Sequence, residues 1–166
     1  MKSIKIFAIA LVALGFSVNT FAQSTATASS TALFLVPISI TKNTDMNFGT
    51  LASSATAGTA VLSTSSVLSK TEGVTIVSGT PTAAQFTVTG EGSKTFSVSR
   101  PASIELTGPA SATLTLTLAD DLSGTTGTLS SGTKVIKVGG TLAVPANTVA
   151  GTYSNATGLY VTVNYN

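Results

Sequence analysis

Few side chains in this sequence could do chemistry, and their types decide which chemistry is open. The 166 residues include no His and no Cys, which excludes a Ser-His-Asp or Cys-His nucleophile and any His- or Cys-ligated zinc or haem site. Carboxylates, Lys, Tyr and hydroxyls remain. Gly90-Glu91-Gly92-Ser93-Lys94-Thr95 has the look of a phosphate-binding glycine loop, but such a loop needs Gly and Lys adjacent and a helix N-terminus facing the phosphate. Here Ser93 intervenes and an alternating, strand-like stretch follows, so the segment reads as a turn. Asp120-Asp121 could offer two oxygens to calcium, yet a hard cation collects about six to eight. Adjacent carboxylates also diverge, a poor geometry for a general acid/base pair. Asn155-Ala156-Thr157 fits the N-glycosylation pattern and reads equally as a turn. The expectation is a protein without a catalytic centre, cofactor or metal.

The elements that hold these residues are strands. From Leu159 to the end, Leu159, Val161, Val163 and Tyr165 alternate with Tyr160, Thr162 and Asn164, the pattern of a half-buried strand. Near the start, Ala26, Ala28, Ala32, Phe34, Val36, Ile38 and Ile40 all take even positions, so a weak tail runs into a strong strand over Ala32 to Ile40. Pro37 removes a ladder donor, so that strand lies at an edge, is bulged, or changes partner near that point. Further strands are expected over 46–51, 59–63, 74–77, 84–89, 95–99, 103–107, 113–119, 134–138 and 141–144. The loop 90–94 reads as joining 84–89 and 95–99 in a hairpin, and Gly139-Gly140 reads as a tight turn or bulge. Phe34, Phe48, Phe86 and Phe96 are expected in the core. Ser and Thr make up about a third of the chain and suit the solvent face of sheets. Many short strands with Gly, Pro and Ser/Thr turns, and no sustained helical period, predict an all-β, immunoglobulin-like Greek-key β-sandwich, with a barrel as the lesser option.

The first 22 residues read as a cleaved signal peptide: Lys2 and Lys5, the apolar run Ile6 to Val18, and Thr20-Phe21-Ala22 before Gln23. Without them, Lys42, Lys70, Lys94, Arg100, Lys134 and Lys137 balance Asp45, Glu72, Glu91, Glu105, Asp120 and Asp121, so the formal charge of +2 falls to zero. A neutral, sparsely charged surface gives no steering toward nucleic acid or anionic lipid. No further apolar run is long enough to span a bilayer. The domain expectation is a signal peptide over 1–22, an N-terminal extension over 23–31 and a sandwich over 32–166.

Several motifs keep their order along the chain: P-I-S-I-T-K (37–42), N-F-G (47–49), A-x-F-x-V-x-G (84–90), V-G-G-x-L-x-V (138–144), and A-G-x-Y (150–153) leading to V-x-V-x-Y (161–165). Together they resemble a bacterial secreted family of domains of unknown function, which in turn resembles spore coat U-like and archaic chaperone-usher pilin subunits. That resemblance implies a sandwich lacking its last strand, a periplasmic chaperone and usher as partners, and polymerisation in which one copy donates its N-terminal extension to the next. The penultimate Tyr165, with Gly151 fourteen residues before it, resembles the C-terminal motif such chaperones read.

On this reading the protein is exported to the periplasm and the outer surface as a structural or adhesive fimbrial subunit. Ala28, Ala32, Phe34 and Val36 form the donated strand, and Leu159, Val161, Val163 and Tyr165 form the terminal strand beside the groove. The alternative is a complete, monomeric sandwich binding glycans or matrix through exposed aromatics such as Tyr153 and Tyr160.

Overall fold

The computed structural model describes residues 23–166, so the expected signal peptide over 1–22 lies outside the described residues. The chain divides into two compact units, Met1–Leu33 and Phe34–Asn166. In the first, residues 23–33 are exposed and form neither helix nor strand.

The second unit is built from strands β1 (Ser39–Thr44), β2 (Thr50–Ser53), β3 (Gly58–Leu62), β4 (Leu68–Lys70), β5 (Val74–Ser78), β6 (Ala84–Thr89), β7 (Thr95–Ser99), β8 (Ser103–Thr107), β9 (Thr113–Asp120), β10 (Thr126–Thr128), β11 (Thr133–Val144) and β12 (Thr162–Tyr165). Every strand pair is antiparallel. The largest sheet has the order β1-β6-β11-β3-β4, with β8 and β9 attached through β11, and two smaller sheets run β10-β7-β12 and β2-β5. These sheets face one another across a single apolar core, making an all-β sandwich. Among the described residues no helix is long and apolar enough to cross a membrane.

Alternation decides which side chains enter that core. In β9 the sequence T-L-T-L-T-L buries Leu114, Leu116 and Leu118 and leaves the intervening Thr residues in solvent, each buried Leu contributing about 2 to 3 kcal/mol of transfer free energy. Phe86 and Val88 of β6, and Phe96 and Val98 of β7, are also buried. Their alternation suggests a hairpin, but β6 pairs with β1 and β11 while β7 pairs with β10 and β12. The loop 90–94 therefore crosses between sheets. Periodicity reports the face a side chain takes, and both strands face the same core from opposite layers.

Gly139-Gly140 is not a turn either. β11 runs straight through it as one 12-residue strand, pairing with β6 through Val138 and with β3 from Gly140 onward. On its other edge β9 pairs from Val138 to Leu142. The strand changes neighbours at this dipeptide, and a Cβ on Gly139 would run into the Leu62 carbonyl, while one on Gly140 would lie 2.6 Å from the Thr117 carbonyl. The glycines allow three backbones to close together.

The N-terminal strand is shorter than its alternation suggests. Pairing begins at Ser39, so Phe34 to Ile38 carry no ladder, and Phe34, expected in the core, is 92% exposed. Pro37 lacks the donor a ladder needs at that point. Two short strands, β4 and β10, give almost no periodic signal and are not recognisable from the sequence.

Candidate functional site

A groove of about 1030 Å³ opens into one side of the sandwich. Its floor is made of core side chains, among them Phe86, Leu114, Leu116, Leu142 and Val144. One wall is the chain from Thr44 through β2 to Ser53; the other is the segment from Thr148 to Ala156. The two walls meet at one end, where the Asn147 N–H donates to the Ser54 carbonyl at 2.7 Å and the Ser53 hydroxyl donates to the Thr148 carbonyl at 3.3 Å. The slot is therefore blind there. Among the described residues β2 has a single neighbour, β5, leaving its groove-side edge without a strand partner.

Charge is scarce in the lining, where Lys42 and Asp45 bind each other at 2.6 Å on the lip. An apolar floor beside an unpaired strand edge suits a segment that brings both alternating apolar side chains and backbone hydrogen bonds.

A different constellation closes the sandwich where the chain enters it. The Tyr165 hydroxyl accepts the Glu91 N–H at 2.5 Å and donates to the Val36 carbonyl at 2.8 Å. The Val36 N–H donates to the Glu91 carboxylate at 3.2 Å. Both backbone groups of Val36 are thus held by side chains of the same copy. Gly90 makes the arrangement possible, since a Cβ there would overlap the Tyr165 hydroxyl and lie 3.2 Å from Leu129 Cδ1.

The residues expected in assembly separate into three groups. Ala28 and Ala32 lie exposed in the first unit. In the second, Phe34 and Val36 keep 92% and 56% of their surface, although the Val36 backbone is tied down. Gly151 and Leu159 line the groove. Val161 is half-buried, Val163 enters the core, and Tyr165 forms the entry clasp, so the terminal strand β12 does not border the groove. The structure brings Val36 and Tyr165 together within one chain. It also shows β2 as the groove's strand wall, a role the sequence does not announce; the only clue is N-F-G followed by a four-residue strand.

The remaining candidates have structural occupations. Asp120 pairs with Arg100 Nε at 2.5 Å and accepts the Leu122 N–H at 2.9 Å, while Asp121 accepts the Lys137 N–H at 3.0 Å. Among the described residues no cluster of three or more acidic side chains is placed to hold a metal. Asn155 caps its own turn through the Thr157 and Gly158 N–H groups. Tyr153 donates to the Val149 carbonyl at 2.9 Å, is half-buried and lines the groove, while Tyr160 is 55% exposed.

The described residues thus form an all-β sandwich with an apolar groove opening into one side. The chain belongs to the family described as Domain of unknown function (DUF4402), whose model matches residues 38–165. No curated protein matches the sequence.

Proposed function

We propose that this protein is a structural subunit of a bacterial surface fibre in which the groove of one copy receives the N-terminal segment of another. The observation that carries this reading is the groove itself. Core side chains line the floor of an open slot, and one wall of that slot is a strand edge with no strand partner among the described residues. The same chain carries a fitting occupant. Residues 23–36 contain no Asp, Glu, Lys or Arg and carry Ala26, Ala28, Ala32, Phe34 and Val36 on even positions, and they end in the exposed run Phe34-Leu35-Val36, which lies outside any strand although the Val36 backbone is held by Tyr165 and Glu91.

An uncovered apolar slot is an aggregation liability before assembly, so an exported copy calls for a temporary cover, the role of a periplasmic chaperone, and for delivery to the outer surface by an usher. The test is the mass of the chain beginning at Gln23 against one beginning at Val36, by light scattering. Multimers from the first and monomers from the second are expected. Phe34→Asp should also abolish multimers while leaving the unfolding midpoint of the domain unchanged, because that side chain buries almost nothing at home. Equal, stable monomers from all three would leave the groove as the ligand site of a monomeric glycan- or matrix-binding module.

A further inference from the structure

We infer that the edge receiving the incoming strand is β2, not the terminal strand β12. This rests on the fibre reading, and it assigns to particular residues what that reading leaves open. Both β2 and β12 have one strand neighbour among the described residues, so pairing alone does not choose between them. The groove does. All four residues of β2 line it, and none of Thr162 to Tyr165 does. Tyr165 is also committed to Val36 and Glu91.

The root of the tail fits donation to a second copy, as the fibre reading has it. Val36 is clasped beside Glu91, just past one end of β6, whereas Ala84 and Phe86, toward the other end of β6, line the groove. β1 runs the same course, from Ser39 near the root to Lys42 and Thr44 on the groove lip, about 20 Å of extended chain. Root and groove thus occupy opposite ends of one body, and the blind end at Ser54 and Asn147 fixes where an entering strand must stop. Donation to another copy is then a heterologous contact, which propagates and does not close on itself as a twofold dimer would.

Face parity adds a constraint. Thr50 and Ala52 of β2 point to solvent while Leu51 and Ser53 turn inward, so a donor with its even-numbered side chains on the groove floor sets Thr31 and Leu33 beside Ala52 on the outer face. The experiment uses the absence of Cys. Full-length Ala52→Cys is mixed with full-length Thr31→Cys or Leu33→Cys, the pair is unfolded and refolded together, and diamide is added before a non-reducing gel. Facing residues of neighbouring strands meet the geometry of a disulfide.

A crosslinked dimer with Ala52→Cys, lost when Thr162→Cys replaces it as the acceptor, is the expected result. A dimer with Thr162→Cys and none with Ala52→Cys would overturn the β2 assignment while strand exchange stands. No crosslink with either acceptor would also overturn it, and light scattering of the same samples in reductant then separates the two readings. Multimers would leave the fibre reading in place, and monomers would remove both.

Discussion

At the entry end of the sandwich, Gly90, Glu91, Tyr165 and Val36 leave no space for a methyl group and no backbone group of Val36 without a partner. At the groove end, Leu114, Leu116 and Leu142 are equally part of the core, yet they form the floor of an open slot walled by a strand edge. The closed end depends on specific atoms, three hydrogen bonds linking Val36, Glu91 and Tyr165 and a glycine cut to fit a phenol. The open end depends on area and edge, and any uncharged alternating strand of the right size would satisfy it. A subunit that must hold its own fold and also remain unfinished would be divided in this way.

The contrast is tested most severely by matched core truncations in the Phe34→Asp background. Leu129, 1% exposed, packs beside Gly90 at the closed end, and Leu116, 2% exposed, lies on the groove floor. Leu129→Ala leaves a sealed cavity and should cost about 4 kcal/mol, whereas Leu116→Ala leaves a space that merges with the groove and should cost about 2 to 3 kcal/mol. Urea unfolding of both variants reads the difference. Equal losses would mean that the groove is closed in solution and that the two ends are not different in kind.

Next in size is the clasp. Gly90→Ala overpacks the Tyr165 hydroxyl and should cost about 1 to 3 kcal/mol. Tyr165→Phe removes the bonds to Glu91 and Val36 and should cost about 1 kcal/mol, since Val36 and Glu91 remain within reach of water. Combined, the two should fall short of their sum by at least about 0.5 kcal/mol, because removing the hydroxyl also removes the clash. Strict additivity in that double-mutant cycle would show that Tyr165 does not pack on Gly90.

What the sequence reveals about these two ends differs for a physical reason. Alternation exposes which side chains are buried, so β6, β7, β8, β9 and the inward set Phe86, Val88, Phe96 and Val98 are legible from the residue pattern alone. It says nothing about neighbours. The supposed hairpin over 84–99 is a crossing between sheets, and Gly139-Gly140 is a change of partners inside one strand, because both depend on which backbone lies alongside. The tail is legible as an alternating segment, but its exposure is not, since Phe34 shows the same period whether it fills its own core or another copy's. The clasp joins residues 129 positions apart, and no local pattern announces it. The groove is harder still, because its floor is ordinary core sequence and only the arrangement of the walls around it makes a slot.

The smallest effect belongs to the groove's lip. Lys42 and Asp45 bind each other at 2.6 Å with their side chains 56% and 79% exposed, whereas the Arg100–Asp120 pair is 21% and 10% exposed and makes further bonds to the Leu118 carbonyl and the Leu122 N–H. Exposed pairs contribute little, so Asp45→Ala should change stability by no more than about 0.5 kcal/mol. Its effect on assembly is the more informative measurement. A donor without charged residues has nothing to gain from Asp45, so multimer mass should be the same for Asp45→Ala and for the unaltered chain, and should not fall between low and physiological salt, where the screening length shortens from about 30 Å to about 8 Å. A loss of multimers on removing this one carboxylate, or on adding salt, would point to a basic occupant. The N-terminal segment would then be the wrong strand for the slot, even though the slot itself is real.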